Sequence, residues 1–215
     1  QIHRPQSDTP IDETLRAFDD LIHAGKVRYI GASTFAAWQF TESLWVAKEL
    51  GLNRFVSEQP PYNILDRRIE RELIPMTQTY GVALIPWSPL AGGMLTGKYS
   101  KEWKAPGAAR YNQAKPLWSQ RLNDAAFIAI EALKPIAEMK ACPLSQLSLA
   151  WCIQQPGVTS PIVGPRTMAQ LEDNLNALDL AITDDDRRSI DTVVPPGSMV
   201  SPYYEADFGP HLFTW

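Results

Sequence analysis

Residues 82–99 read Val-Ala-Leu-Ile-Pro-Trp-Ser-Pro-Leu-Ala-Gly-Gly-Met-Leu-Thr-Gly-Lys-Tyr, so an aromatic, a hydroxyl, a glycine pair and a lysine follow directly on an apolar run. The run at 82–85 is short and follows Gly81, the pattern of a strand buried on both faces as in a parallel sheet. Trp87 then falls at the C-terminal end of that strand, the edge at which parallel α/β folds bind ligands. Gly92 and Gly93 let backbone N–H groups approach a phosphate with no Cβ in the way, and Lys98 adds a positive charge. These residues could hold a nucleotide cofactor.

The elements that must position this loop recur along the chain. Apolar strand candidates lie at 1–3, 27–30, 55–57, 82–85 and 158–163. A first helix is expected from about Ile11 to Gly25, with Thr9 as its cap and Pro10 in its first turn, and Ile11, Leu15, Phe18, Leu21 and Ile22 at helical spacing. Further helices are predicted over 36–50 and 66–80, closed by Gly51 and Gly81, and over 125–141, 145–155, 167–178 and 184–193, the last capped by Thr183. Residues 100–123 are polar with no apolar period and read as a long loop, of the kind that is usually either a functional lid or disordered. The tail at 195–215 carries Tyr203, Tyr204, Phe208, Phe213 and Trp215 without periodicity and is expected to lie across a surface or pocket.

Tandem βα units close as a (β/α)8 barrel or open as a doubly wound sheet. The doubly wound form calls for G-x-G-x-x-G after its first strand, and that motif is absent. The expected fold is therefore α/β, a partial (β/α)8 TIM barrel. The spacing supplies about five βα units where a barrel needs eight and roughly 250 residues. The 215 residues read as one N-terminally incomplete domain, the C-terminal part of a longer protein.

Composition narrows the class. A net charge of -4 and a pI near 5.4 oppose a nucleic-acid partner, which requires a basic surface. No apolar run approaches transmembrane length and the N-terminus is no signal peptide, so no membrane insertion and a cytoplasmic location are expected. Cys142 and Cys152 both fall in predicted helices, against a disulfide framework. His3, His23 and His211 share no metal-ligand pattern, and no metal is expected.

Taken in order, Gln1-Ile2-His3, Gly25-Lys26-Val27-Arg28-Tyr29-Ile30-Gly31-Ala32-Ser33, Glu58-Gln59-Pro60-Pro61-Tyr62-Asn63, Trp87-Ser88-Pro89-Leu90-Ala91-Gly92-Gly93 and the stretch 164–174 resemble the aldo-keto reductases, in the branch similar to potassium-channel β subunits. The resemblance covers the whole chain. It implies NADPH-dependent reduction of aldehydes or ketones, by hydride transfer to the carbonyl carbon and proton donation to its oxygen. The family's catalytic set is Asp, Tyr, Lys and His. Only the histidine matches here, as His3, which can donate a hydrogen bond to the substrate carbonyl. The other three belong to units preceding this chain.

By the same resemblance Ser33 and Gln59 hold the nicotinamide carboxamide, with Thr34 where many relatives carry asparagine, and Trp87 stacks on the ring. Ser88, Leu90 and Gly92 contact the pyrophosphate through backbone groups, while Lys98 and Arg110 supply charge. Gly164 and Arg166, with Gln170, Asp173 and Asn174 on the following helix, suit an adenosine 2′-phosphate, since arginine and a helix N-terminus both favour a dianion. Tyr62 and Trp87 are expected to wall the substrate pocket, whose small carbonyl substrate is a small or aromatic aldehyde.

Two alternatives stay open. One is an NADPH-binding redox sensor or regulatory subunit of the channel β type, and the other a catalytically inactive fragment with exposed sheet edges. A homo-oligomer is compatible with all three.

Overall fold

The computed structural model describes residues 1–6, 8–102, 104, 107, 111 and 120–205. Among them three strands form a parallel sheet in chain order: β1 (Ile30–Ala32), β2 (Phe55–Glu58) and β3 (Ala83–Leu84). The predicted strands at 1–3 and 158–163 are reduced to single parallel bridges, Ile2 beside Ala32 and Val158 beside Leu84. Backbone hydrogen bonds from Ile2 N–H to Gly31 O (3.0 Å) and from Thr159 N–H to Leu84 O (2.8 Å) fix these flanking rows. Five rows therefore run in the expected order and direction, with only the central three long enough to be strands.

The first strand begins three residues later than its apolar pattern predicts. Helix α1 (Ile11–His23) ends in a turn that draws the N–H groups of Lys26 and Val27 back to Leu21 O (3.0 and 3.4 Å), and this leaves Tyr29 76% exposed outside the sheet. Gly31 is needed where β1 meets β2, because a Cβ there would lie 2.9 Å from Ser57 O. The start of α1 also differs from expectation. Pro10 is its N-cap and makes no side-chain cap bond, while the Thr9 hydroxyl donates to the side chain of Asp8 instead.

Helix α2 (Ala37–Leu50) closes on Gly51 at φ +68°, and the Gln39 side chain reaches back to accept the Ala36 N–H at 3.0 Å. The helix expected over 66–80 is shorter. A 3-10 turn (Arg68–Glu70) precedes α3 (Leu73–Tyr80) because the side chains of Asp66 and Arg67 are engaged by the C-terminal part of the chain. Pro75 falls in the first turn of α3, where its missing N–H has no intrahelical partner to lose.

Helices α4 (Asp124–Met139), α5 (Leu144–Ile153), α6 (Met168–Leu175) and α7 (Asp184–Val193) follow. Asn123, Thr167 and Thr183 cap α4, α6 and α7 through their side chains, and Thr183 exchanges hydrogen bonds with Asp186. The helix predicted over 167–178 breaks after Leu175 into a 3-10 turn (Asn176–Leu178).

Helix α1 packs on α2, and α2 on α3, so successive helices lie on one face of the sheet, as right-handed crossovers between strands in consecutive order require. Between helices and sheet, Phe18, Phe35, Phe40 and Phe55 meet edge to face or tilted, with centroids 5.9–6.4 Å apart. Residues 195–205 dock into the core: Val200 N–H bonds to Leu65 O at 2.9 Å, and Tyr203 and Tyr204 are buried. Phe208, Phe213 and Trp215 of the expected aromatic tail lie outside the described residues. Among those residues no helix is long and apolar enough to cross a membrane.

Candidate functional site

Four consecutive strand ends open into one cleft of ≈ 210 Å³ lined by His3, Arg4, Ser33, Thr34, Gln59 and Trp87. Each residue leaves the C-terminal end of its row, where strands stop pairing and side chains of neighbouring rows converge. Ser33 and Thr34 follow β1, Gln59 follows β2, and Trp87 follows β3. Trp87 is held by a further bridge to Pro61, with its N–H on Pro60 O (2.9 Å) and its carbonyl accepting the Tyr62 N–H (3.2 Å).

The floor of the cleft is tied across β1 and β2. Gln59 N–H bonds to Ala32 O at 2.9 Å, and the Ser33 hydroxyl donates to Gln59 O at 2.7 Å; with its proton so used, Ser33 Oγ accepts from the Thr34 hydroxyl 3.4 Å away and keeps one lone pair for a further donor. The Gln59 amide donates to Gln1 Oε1 at 3.0 Å. Thr34 and Ser88 adopt φ +60° and +56°, left-handed values that cost a residue with a Cβ on the order of 1–3 kcal/mol. Thr34 lines the cleft and Ser88 directly follows Trp87, so both strained residues lie at its edge.

Beneath the floor lies Glu58, fully buried in the central strand. Its Oε1 accepts the Phe35 N–H at 3.0 Å, whereas Oε2 has no hydrogen-bond partner among the described residues. Burial pushes its carboxyl up to about 8, against the opposing pull of backbone hydrogen bonds from Phe35 and Thr34.

Past Trp87 the chain winds through a 3-10 segment (Ala91–Thr96) kinked by Gly92 at φ +64° and Gly93 at φ +100°. The carbonyl of Ser88 accepts from the Asn63 amide (3.2 Å) and the Ala91 N–H (2.9 Å), and Leu90 O accepts the Gly93 N–H (2.8 Å). A Cβ on Gly92 would meet Tyr111 Oη at 2.7 Å, and one on Gly93 would meet Lys98 Nζ at 3.1 Å. The Lys98 ammonium thus lies against the bare backbone of the glycine pair. Arg110 lies outside the described residues.

The segment carrying Gly164 and Arg166 leaves from beside the same edge, since Ile162 N–H bonds to Pro86 O at 2.7 Å. Gly164, Arg166 and Gln170 are exposed. Gln170 folds back, its Oε1 accepting the Arg166 N–H at 2.7 Å and its own N–H donating to Thr167 Oγ1 at 3.2 Å. Asp173 is turned the other way, toward α5, where it accepts from Ser145 (3.1 Å) and Gln146 (2.7 Å). Asn174, a turn beyond Gln170, is half-buried.

His3, Ser33, Gln59 and Trp87 are therefore gathered at one cleft, with the loop of Ser88, Leu90, Gly92 and Lys98 leading away from it. Tyr62 does not wall that cleft. It is completely buried against Trp151, with ring centroids 5.1 Å apart, and its hydroxyl donates to Glu70 at 2.6 Å. Burial, followed by the charge of Glu70, raises its pKa far above the ordinary phenol value. The physical reason is the adjacent Pro60-Pro61 bridge to Trp87, which turns the next side chain into the core. Arg4, Thr34 and Glu58 belong to the site and received no role from sequence. A charged residue closing the central strand was the available signal for Glu58.

A model of the aldo/keto reductase family matches residues 1–195. The chain is 41% identical over 181 residues to a rice protein described as a probable voltage-gated potassium channel subunit beta, covering 83% of this chain and 55% of that protein. It is 33% identical over 205 residues to an uncharacterized oxidoreductase, YrpG, of Bacillus subtilis, covering 95% of this chain and 60% of the relative. With a versiconal hemiacetal acetate reductase of Aspergillus parasiticus it shares 32% identity over 202 residues, 93% of this chain and 57% of that enzyme. The chain spans just over half the length of these curated relatives.

Proposed function

The chain belongs to the aldo/keto reductase family, and from that premise we propose that its cleft binds the nicotinamide end of NADPH and serves the reduction of a small aldehyde or ketone to the alcohol. The observation that carries this reading is the convergence of Ser33, Gln59 and Trp87 with His3 at the C-terminal edge of the parallel rows. We take those rows as an arc of a (β/α)8 barrel and the protein as cytoplasmic.

The residues present suit such a cofactor. Ser33 Oγ already donates to Gln59 O, so toward the cleft it accepts, matching the N–H₂ of a carboxamide. Trp87 offers a half-buried π face for a flat ring. The cleft is smaller than the ~300–1,000 Å³ of sites that enclose a whole drug-sized ligand, and so fits one ring with the rest of a dinucleotide outside it. For that remainder the 88–93 loop with Lys98 supplies backbone polar groups and one positive charge, and Arg166 at the start of α6 faces a 2′-phosphate. Gln170 and Asn174 support the same end; Asp173 acts through the α5 contact that fixes the helix.

When bound, the reduced cofactor supplies the hydride. Ser33 and Gln59 fix which ring face is offered, Trp87 prevents the ring from rotating, and His3, exposed at the rim, donates a hydrogen bond that polarises the substrate carbonyl. A proton donor from the Asp, Tyr and Lys of the family set would act from outside these 215 residues.

Titration with NADPH and NADH of the wild type and Arg166→Ala tests the assignment. Wild type is expected to prefer NADPH, and Arg166→Ala to lose about tenfold or more in NADPH affinity with NADH unaffected, as for a charged hydrogen bond to phosphate. Equal losses for both cofactors would remove Arg166 from the site.

The identity to proteins described as probable channel β subunits supports a second reading, an NADPH-binding regulatory subunit. Tight NADPH binding with negligible turnover of any carbonyl by the whole protein would favour it.

A further inference from the structure

Glu58 is a buried carboxyl that the proposed chemistry leaves unused. It ends β2 directly beneath Gln59, and its register partners are Ala32 on β1 and Leu84 on β3. Its Oε1 accepts the Phe35 N–H at 3.0 Å, and its Oε2 has no hydrogen-bond partner among the described residues. Thr34, directly before Phe35, is left-handed at φ +60°, so the carboxyl holds the residue that follows the strained one. From the other side the Tyr204 hydroxyl donates to Phe35 O at 2.6 Å. Phe35 is thereby gripped at both ends, and the turn that carries Ser33 and Thr34 into the cleft cannot relax to an ordinary conformation while Glu58 is in place.

We propose that Glu58 is a positioning residue for the cleft, acting on the ligand only through the left-handed Ser33-Thr34-Phe35 turn that it holds. Taken as a cofactor site, the cleft owes its affinity in part to this internal acid, and the inference rests on that reading. Among the described residues the groups facing Glu58 are the Phe35 N–H, with that of Thr34 beside it, and the Tyr204 phenol; the β1 and β3 residues packed beside it carry no titratable side chain, and Arg68, Glu72 and Asp66 act on Tyr204 from beyond it. No cation among the described residues faces the carboxyl. Its ionisation near pH 8 places a charge with no facing cation under the floor, which repels an anionic cofactor even though the carboxylate draws the Phe35 N–H more tightly. Repulsion of the cofactor sets the sign, so affinity falls as pH rises through 8.

The test follows the Thr34 and Phe35 amides by NMR from pH 6 to 9 in the wild type and Glu58→Gln, with NADPH titrations of both and of Glu58→Ala. The two amides are expected to titrate together near pH 8 in the wild type and to stay flat in Glu58→Gln. NADPH affinity is expected to fall about fivefold between pH 7 and 9 in the wild type only, to weaken about tenfold in Glu58→Ala, and to be largely rescued by Gln, which keeps the acceptor. Unchanged titration of the amides in Glu58→Gln, or wild-type affinity in Glu58→Ala, overturns the proposal. If the wild type binds no NADPH, the cofactor reading fails and the amide titration alone decides the role of Glu58. If Glu58→Ala does not fold, the Gln comparison decides it.

Discussion

Ser33, Thr34 and Glu58 form a small mechanical unit: a hydroxyl, a left-handed residue and a buried carboxyl, each meaningful only through the others. Its energetic signature is a pH dependence of stability. The folded-state pKa of Glu58 is raised from 4.5 to about 8, so the unfolded chain releases this proton first and binds fewer protons than the native state between those values. Stability is therefore full below about pH 4.5 and lost progressively up to about pH 8, with no further loss above it. Urea midpoints of the wild type should fall over that window by a contribution on the order of 2–4 kcal/mol, and Glu58→Gln should remove the slope. A wild-type curve that rises from pH 5 to 8 in parallel with the Gln variant would show that the carboxyl is already ionised in the fold. That Ser33, Gln59 and Trp87 meet at one cleft was legible from their places at successive strand ends. Tyr62 was misread because an aromatic at a strand end looks alike whether it faces a cleft or, as here, Glu70 and Trp151.

At the scale of elements, the helix-closing glycines and the Thr183 cap gave the most reliable signals, and hydrophobic pattern the least reliable boundaries. Gly51 and Gly81 close α2 and α3 in the left-handed conformation, and Thr183 caps α7, all as their positions in sequence imply. The strand expected at 27–30 instead starts at Ile30, because the turn leaving α1 consumes Val27 in a hydrogen bond that no apolar pattern reveals. Likewise 66–80 is not one helix, because Asp66 and Arg67 bind partners more than a hundred residues away. The glycines also separate two costs that sequence cannot. Gly51→Ala meets no atom within 4 Å and carries only the positive-φ penalty, on the order of 1 kcal/mol. Gly92→Ala adds a clash with Tyr111 Oη at 2.7 Å and threatens the 2.7 Å Tyr111–Tyr203 hydroxyl bond, so it should cost roughly 2–4 kcal/mol. Thermal midpoints compare them, and equal losses would mean that Tyr111 yields without penalty.

For the molecule as a whole, the parallel rows and one-sided helices were predictable from the βα period, whereas the way the chain ends was not. The C-terminal segment is fastened by Asp66, fully buried, which accepts the N–H groups of Tyr203 and Tyr204 at 2.6 and 2.7 Å and pairs with Arg68 at 2.6 Å. Tyr204 in turn bonds to Phe35 O above Glu58, so the end of the described chain is linked to the floor of the cleft. Asp66→Ala should destabilise by about 3 kcal/mol, leave Arg68 without its partner and expose residues 195–205 to limited proteolysis. Protection of that segment in the variant would show that Tyr203 and Tyr204 are held by packing alone. The convergence of distant residues on one cleft is the central claim, and Trp87 reports on it most directly. Titrating the wild type and Trp87→Phe with NADPH while following tryptophan emission should give saturable quenching in the wild type that is largely lost in Trp87→Phe, with the cofactor still bound as judged by calorimetry. Absence of saturable binding, or identical quenching in both proteins, would contradict the placement of the nicotinamide against Trp87.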